Sequence, residues 1–342
     1  MTRHLFLTLL AICALLSSSC SHDEPVTPIK PLEERTVLVL THDGEIYDQN
    51  GKLVKQLPDC ALASEIISEG EDYFVSGSQT KGRVGYWKNG KWNTLHVDFI
   101  EDVDHWTYGL GKWDYYIYLL DLPNVLKNSG IFPLEDCENF VPDDHALAVS
   151  QGKCYVIGYD ECEDNPYEHH LPVLYTDYKK EFLPMPADAM TGECQALYAY
   201  DRDYILIGGS IDGLPAVWID KQYRIYDVLY PRTEIVEGFI SGCIESITMA
   251  GGHIYAAGFD IDYEGQQVAT MWIDGVPQHY LSGGDCASSH AIEIHSYGDD
   301  VYMLTSEYYI FEYESRYDTH LWLNGKLIKT YTDTQAAGLT VL

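Results

Sequence analysis

The chain has 342 residues and a formal net charge of −32, because 53 Asp and Glu stand against 21 Lys and Arg. A field of this sign repels phosphate groups, which argues against nucleic acid and anionic lipid surfaces as partners. An excess of acid is also typical of a surface protein that its charge keeps soluble.

The N-terminus has the pattern of a bacterial export signal. An apolar run at residues 5–16 follows the basic Arg3, and three serines lead to Cys20. The run is too short to span a membrane. The pattern resembles a bacterial lipoprotein signal, so we expect a signal peptide over residues 1–19, lipid on Cys20, and a flexible tether over residues 20–35.

The residues after Cys20 indicate where the protein is anchored. Asp23 and Glu24 resemble the signal that sends lipoproteins of some Gram-negative glycan-degrading bacteria to the outer face of the outer membrane. A proline-rich disordered linker over residues 25–31 is the alternative interpretation. Both interpretations place the protein outside the cytoplasm, in contact with the membrane through its lipid anchor only.

Seven variants of one sequence motif make up the rest of the chain. The motif consists of an apolar strand centred on Tyr, a polar loop, an aromatic residue and a turn dipeptide. The clearest copies end in Asn89-Gly90, Asp274-Gly275 and Asn324-Gly325. Looser copies occupy residues 47–51, 126–130, 175–178 and 218–221. The spacing of about 40 to 54 residues is the period of propeller blades.

The second unit shows the four strands of one blade. They are expected at residues 61–67, 73–77, 84–87 and 91–97. The Asn-Gly pair between the third and fourth strands supplies the positive φ angles of a type I′ hairpin turn. Second strands rich in aromatic and β-branched residues recur in the other units, as expected for strands buried between neighbouring blades.

The two ends of this repeat array complement each other. The first unit, residues 36–57, lacks one strand, whereas residues 336–342 form one strand more than the seventh unit needs. Pairing the two would close the ring and leave no exposed sheet edge. We therefore predict an all-β, monomeric domain over residues 36–342, a seven-bladed β-propeller of four-stranded antiparallel blades closed by the C-terminal strand.

The first strand of each propeller blade lines the central channel, so the residues near its start are candidates for a site. Aligning the seven first strands places a collar at one channel mouth: Ser64, His105, His145, Gln195, Glu245, His290 and Ala337. Cys194 is the alternative to Gln195. His105, His145 and His290 are candidate ligands for a divalent metal, because imidazole with amide or carboxylate is a common ligand set. The alternative is a collar without a cofactor that binds channel water.

The loops between second and third strands lie on the same face and supply a second candidate surface. In blades four and seven they carry Tyr167, His169, His170, Tyr308, Tyr309 and Tyr313. Exposed rings beside carboxylates are the composition of a surface that stacks on sugars or binds protein. For residues 308–313 the alternative is a longer strand pair with Tyr, Ile and Tyr on one side.

The repeat Tyr-Val-x-Gly, followed after a loop by Trp-Lys-Asn-Gly, resembles that of a broad group of uncharacterised bacterial lipoproteins thought to be propellers. The resemblance covers residues 36–342 and is clearest in blades two, six and seven. It implies a propeller and an envelope location, and it implies no biochemical activity.

Signatures of nucleophile elbows, phosphate loops and zinc proteases are absent from the sequence. Some propeller polysaccharide lyases hold a metal with three His and a Gln near the channel mouth. His105, His145, His290 and Gln195 resemble that set in composition, but no basic residue is obviously placed to neutralise a uronate. The sequence therefore predicts a non-catalytic surface module that binds or scaffolds a glycan or protein, with a metal-dependent lyase or hydrolase as the alternative.

Overall fold

The computed structural model describes residues 30–80, 83–96, 107–128, 130–143, 145–162, 169–228, 242–282, 286–311 and 315–342. The chain divides into a unit Met1–Glu33 and a unit Glu34–Leu342, and the architecture that follows is that of the second unit. Apart from a 3₁₀ helix at Leu32–Glu34, the regular structure of the described residues is strand. Within these ranges no helix is long and apolar enough to cross a membrane.

The strands form seven antiparallel sheets, which are the blades of a β-propeller, so the predicted fold is confirmed. Each blade takes its strands in chain order from the channel outward. The first blade is the exception, because its innermost strand comes from the C-terminus.

β1 to β16 belong to the first four blades, and β29 completes blade one. Blade one holds β1 (Val37–Thr41), β2 (Glu45–Asp48) and β3 (Leu53–Gln56). Blade two holds β4 (Cys60–Glu69), β5 (Asp72–Gln79), β6 (Arg83–Lys88) and β7 (Lys91–His96). Blade three holds β8 (Leu110–Trp113), β9 (Tyr116–Asp121), β10 (Asn124–Lys127) and β11 (Gly130–Pro133). Blade four holds β12 (Phe140–Val141), β13 (Leu147–Ser150), β14 (Lys153–Cys162), β15 (His169–Thr176) and β16 (Lys179–Phe182), and its innermost position is shared by β12 and β13.

The remaining blades are regular. Blade five holds β17 (Gly192–Ala199), β18 (Ile205–Ile211), β19 (Leu214–Ile219) and β20 (Gln222–Ile225). Blade six holds β21 (Gly242–Ala250), β22 (His253–Ile261), β23 (Gln267–Ile273) and β24 (Val276–His279). Blade seven holds β25 (Ser288–Tyr297), β26 (Asp300–Ile310), β27 (Ser315–Leu323) and β28 (Lys326–Tyr331), and β29 (Ala336–Val341) follows it.

The repeated turn dipeptide has two structural roles. In blade two, Asn89 and Gly90 have φ angles of 50° and 76°, as the predicted type I′ turn requires. The Asn89 side chain also accepts a hydrogen bond of 3.0 Å from the backbone N–H of Tyr73, at the start of the second strand. Asn324 does the same for Val301 in blade seven at 2.9 Å. One residue thus makes the turn and fixes the neighbouring strand, which explains its recurrence.

The aromatic residue before this turn fills the core between blades. Trp87, Trp218 and Trp272 are fully buried. Trp272 of blade six packs in one cluster with Leu206 and Val217 of blade five. Burial of side chains this large supplies much of the free energy that holds one blade against the next.

The C-terminal strand closes the ring as predicted. β29 pairs with β1 from Val37 opposite Val341 to Thr41 opposite Ala336. The seam with blade seven is also tied by side chains, since Arg35 forms an ion pair of 2.6 Å with Asp300. Blade one therefore depends on residues from both ends of the unit.

Candidate binding site at the channel mouth

Bulges in the innermost strands hold most of the residues predicted for the collar. The pairing of first and second strands skips Gln195 in blade five and Glu245 in blade six. It skips Ser64 in blade two and Ala337 in blade one in the same way. A skipped residue does not pair with the neighbouring strand, and its side chain points in a different direction from those of its neighbours. His145 is the corresponding residue of blade four, where it lies between β12 and β13 with a φ of 63°.

In blades five and six, a glycine of the second strand lies where the bulge brings two backbones together. A Cβ on Gly209 would lie 1.9 Å from the carbonyl oxygen of Glu193, and a Cβ on Gly258 would lie 2.0 Å from that of Cys243. Each carbonyl belongs to the residue two positions before the bulge. Only glycine permits so close an approach of two backbones, so these two bulges depend on a glycine in the second strand.

Blade seven has a different register from the one the sequence alignment assumed. Its skipped residue is Ile292, and His290 lies two positions earlier, opposite Ser306 on β26. The His-Ala pair that matches His145 and Ala146 is therefore displaced by two residues. His290 and Ile292 nevertheless both line the cavity at the mouth.

His105 lies outside the described residues, so the structure does not place it. The corresponding position in blade three belongs to another residue. Tyr108 donates a backbone hydrogen bond of 3.2 Å to Leu120, and Leu120 donates one of 3.1 Å to Gly109, so Tyr108 and Gly109 together oppose Leu120. A bulge of this kind puts Tyr108 where the collar was expected to continue.

A cavity of about 280 Å³ opens at this mouth, and we call it the mouth cavity. Side chains from blades one, four, five, six and seven line it: His42, Asp143, His145, Gln195, Glu245, His290, Ile292, Ser306, Gln335, Ala336 and Ala337. Ser306 is 2 % exposed, and its Oγ has no hydrogen-bond partner in the part of the chain that the structure describes. A buried hydroxyl left unpaired costs about 1–3 kcal/mol, so this atom lowers the stability of the fold beside the cavity.

Ionisation of the carboxyl groups in the mouth cavity costs free energy. Burial and, to a smaller extent, the neighbouring charge of Asp143 raise the pKa of Glu245 to about 8, while His145 acts in the opposite direction. Burial also lowers the pKa of His290, which favours the neutral imidazole. Near neutral pH the cavity is therefore rich in hydrogen-bonding groups without carrying its full formal charge.

A second cavity of about 340 Å³ continues the channel, and His145 and Glu245 line both. It contains Glu65 and Glu293, and burial raises the pKa of Glu293 to about 8. Glu65 Oε1 lies 3.5 Å from His145 Nδ1. Acidic groups thus continue into the channel from the mouth.

The carboxylates of this second cavity join one blade to the next. Glu65 accepts a hydrogen bond of 2.6 Å from the backbone N–H of Leu110 in the following blade. Glu293 accepts one from Leu339. Ser246 makes the corresponding bond of 3.1 Å with the backbone N–H of Ile294. Because each acceptor directly follows a bulge, we assign these residues to the architecture of the ring, in contrast to those of the mouth cavity.

The described residues do not form a metal centre. Among them no group of three or more His, Cys, Asp and Glu side chains has the geometry to hold a metal ion. His145 and His290 line the same cavity, whereas His105, the third predicted ligand, is not described. The metal ligand set predicted from the sequence stays a prediction.

Part of the predicted loop surface in blade four lies outside the described residues. Tyr167 is not described, and His169 is described only as backbone at the start of β15. His170 Nδ1 lies 2.5 Å from Glu193 Oε1, and its ring stacks on Tyr159 with centroids 4.3 Å apart. His170 is therefore engaged in a hydrogen bond and a ring stack on the face of the mouth cavity.

The loop surface of blade seven is a long hairpin. Its strands β26 and β27 pair as far as Ile310 opposite Ser315, so the strand extension expected as an alternative is present. Tyr308 faces Tyr317 with ring centroids 4.7 Å apart. The ring of Tyr309 stacks on Phe311, which is 51 % exposed. Tyr313 lies outside the described residues.

Arg316 completes the outer side of this hairpin. Its guanidinium carbon lies 5.0 Å from the ring centroid of Tyr309 and 5.6 Å from that of Phe311. Cation–π contacts of this kind hold the rings in place. The hairpin therefore presents ordered rings on the same face of the propeller as the mouth cavity.

Glu307 is a buried group that the sequence analysis missed. Burial would raise its pKa, but contacts with His320, Ser282 and Tyr309 hold the pKa at about 2. Ser282 donates its backbone N–H and its hydroxyl to the carboxylate, each at 2.6 Å, and Tyr309 donates its hydroxyl at 2.5 Å. His320 Nε2 lies 3.2 Å away.

A sequence signal for this group does exist. Asp160, Asp260 and Glu307 each stand two residues after the position of the repeat glycine in their second strand. Each is buried and paired with a nitrogen from an outer strand of its own blade: Lys180, His279 and His320. An acid repeated at one offset in an otherwise apolar strand could have indicated a buried pair.

No family model and no curated protein matches the chain. Among solved structures, the extracellular domain of BT4673 from B. thetaiotaomicron is 12% identical, with a TM-score of 0.47, over 80% of this chain and 38% of that one. AofleA from Arthrobotrys oligospora is 12% identical, with a TM-score of 0.45, over 83% and 90% of the two chains. A protein described as TolB from Agrobacterium tumefaciens is 10% identical, with a TM-score of 0.41, over 89% and 92%. This chain thus spans less than half of the first, and values this low carry no argument about ligand or activity.

Proposed function

We propose that the protein is a non-catalytic binding module of the cell surface that takes the end of a glycan in the mouth cavity. The observation that carries the proposal is the polar lining of that cavity, which includes Gln195, Glu245 and His290. A polyhydroxylated ligand would exchange hydrogen bonds with these groups.

The lining of the mouth cavity suits a polyhydroxylated ligand. Gln195, Glu245 and His290 offer amide, carboxyl and imidazole groups, which can accept or donate according to their protonation. Ile292 and Ala336 supply an apolar side. A sugar ring has the same division into hydroxyls and C–H patches, whereas a purely apolar ligand would leave the polar groups unpaired.

The hairpin of blade seven offers a second contact for a longer glycan. Side chains alternate along a strand, so Tyr308 lies on the same face of β26 as Ser306, about 7 Å farther out. Tyr317 stands directly opposite Tyr308. A glycan whose end occupies the mouth cavity would extend toward these rings, which provide faces for stacking.

The location belongs to the same proposal. A lipid on Cys20 and a tether over residues 20–35 would hold the propeller at the outer face of the outer membrane, where extracellular glycans are available. The resemblance to bacterial lipoproteins with Tyr-Val-x-Gly repeats supports this location. Metabolic labelling with a fatty acid should mark the wild-type protein and not the Cys20→Ala variant.

The binding test compares two glutamines. Gln195→Ala should weaken binding to the best ligand of a neutral-glycan array by about tenfold, because Gln195 lines the mouth cavity and its amide would exchange hydrogen bonds with the ligand. Gln79 is the control, since it is a buried glutamine that does not line the mouth cavity. Gln79→Ala should leave glycan binding unchanged, and thermal unfolding identifies which variants are folded. Identical glycan binding by both variants, or no glycan bound by the wild type, would contradict the proposal.

A further inference from the structure

Gln195, which lines the mouth cavity, is held by a residue of the next blade. Its position is the bulge of β17, so its side chain is free of the strand pairing. Cys243, near the start of β21 in blade six, donates its thiol to Gln195 Oε1 at 2.7 Å, and its contact with the carbonyl oxygen of Ile244 is longer, at 3.9 Å. Cys243 is buried and does not line the cavity, so it acts on a ligand only through Gln195.

The Cys243 thiol is a donor at neutral pH. Burial and nearby carboxyl groups raise the pKa of this thiol well above its ordinary value, although a hydrogen bond with the Ser210 side chain acts in the opposite direction. A protonated thiol has one S–H to donate, and the amide oxygen of Gln195 accepts it. The amide nitrogen of Gln195 donates to none of the described residues. Its two N–H donors are therefore left for a ligand in the mouth cavity.

Other groups in the lining differ in chemistry from this amide donor. Burial lowers the pKa of His290, and a neutral imidazole has one ring nitrogen that accepts a hydrogen bond. Ile292, Ala336 and Ala337 form an apolar part of the lining. The mouth cavity thus combines an amide donor, an imidazole acceptor and a small apolar surface.

We propose that Cys243 is a positioning residue that holds Gln195 as a hydrogen-bond donor, and that the glycan end bound in the mouth cavity carries an acetamido group. The carbonyl oxygen of this group accepts from Gln195, its N–H donates to His290, and its methyl group packs against Ile292. A carboxylate offers a similar acceptor, but Asp143 and the formal charge of −32 oppose a further anion. The inference rests on the proposed function and narrows the ligand to an N-acetylated sugar.

The first test compares ligands and needs no variant. Calorimetry near neutral pH measures the affinity of the purified protein for N-acetylglucosamine, glucosamine and glucose. N-acetylglucosamine should bind about tenfold more tightly than the other two, as expected for one or two additional hydrogen bonds. Equal affinities for the three sugars, or tighter binding of glucosamine, would overturn the acetamido group and leave glycan binding intact. If no glycan binds at all, the proposed function is contradicted as well.

The second test concerns the positioning of Gln195. Cys243→Ala removes the thiol, so the amide is free to turn, and the preference for N-acetylglucosamine over glucose should fall about threefold. Cys243→Ser supplies another donor and should restore the preference, which a purely structural role of the thiol does not predict.

A matched control is available for the thiol. Cys154 is also a buried free cysteine, but it does not line the mouth cavity and makes no contact with Gln195, so Cys154→Ala should leave the sugar preference unchanged. If Cys243→Ala does not fold, Cys243→Val replaces it, because valine fills a similar volume without a donor. Thermal unfolding identifies the folded variants. A folded variant without the thiol that keeps the full preference would overturn the positioning role.

Discussion

Two buried glutamates of this propeller have opposite acid–base behaviour. Glu245, at the channel mouth, has a pKa raised to about 8 by burial and by Asp143. Glu307, in the second strand of blade seven, has a pKa of about 2 although burial alone would raise it. The difference lies in the donors, since Ser282 and Tyr309 give Glu307 three hydrogen bonds.

This contrast separates carboxyl groups that stabilise the fold from carboxyl groups that a ligand could contact. A carboxylate whose donors are supplied by the protein is neutralised within the fold, and it has little left to offer a ligand. A carboxyl that lines a cavity beside another acid pays a free-energy cost that a ligand can remove. An acid that accepts hydrogen bonds from the protein and an acid that lines a cavity therefore have different roles on one face of the molecule.

The largest expected effect comes from removing the satisfied acid. Glu307→Ala leaves the Ser282 N–H, the Ser282 hydroxyl and the Tyr309 hydroxyl without their acceptor, and it should lower the free energy of unfolding by about 3 kcal/mol. Chemical denaturation at neutral pH measures this. A loss below about 1 kcal/mol would mean that the donors find other partners and that the network matters little.

The loss of stability at acidic pH tests the same carboxyl group. The pKa of Glu307 is lowered from 4.5 to about 2 in the folded protein. Its contribution to stability is therefore fully present above the unfolded value and is lost as the pH falls from about 4.5 to 2. The wild type should lose stability across this window, whereas Glu307→Ala should lose less.

Replacing Glu245 at the channel mouth should change the free energy of unfolding less than replacing Glu307, and in the opposite direction. The pKa of Glu245 is raised from 4.5 to about 8, so its contribution is fully present below the unfolded value and is lost as the pH rises through 8. Glu245→Gln removes the ionisation and should be more stable than the wild type above pH 8, on the order of 2 kcal/mol. Thermal unfolding across pH 5 to about 9 measures the difference. Parallel profiles for the two proteins would show that Glu245 ionises without cost.

The sequence predicted what is encoded locally and missed what depends on distant partners. Asn89-Gly90 and its copies fix hairpins between adjacent strands, so seven blades and their closure could be predicted. Gln195 and Glu245 were also predicted for the mouth, because a bulge occurs at the same point of each innermost strand. His290 was aligned two residues away from the bulge, since the register is set by pairing with β26 and not by neighbouring residues.

The network around Glu307 was missed for the same reason. Tyr309 is on the same strand as Glu307, but the other partners come from the loop after β24 and from β27, and no short motif joins Ser282 to His320. The ligand is less predictable still, because the mouth cavity is lined by residues of five blades that are far apart in the sequence.

The smallest effect isolates one donor of Glu307. Tyr309→Phe removes the hydroxyl that donates to the carboxylate at 2.5 Å and should cost about 1 kcal/mol. It should also raise the pKa of Glu307 toward its unfolded value, so the acidic loss of stability should be smaller and should end at a higher pH. Tyr308→Phe is the matched control, because Tyr308 is on the same strand with its side chain on the opposite face. If both variants shift the acidic limb equally, the hairpin as a whole and not the Tyr309 hydroxyl sets the ionisation of Glu307, and the contrast with Glu245 would need another cause.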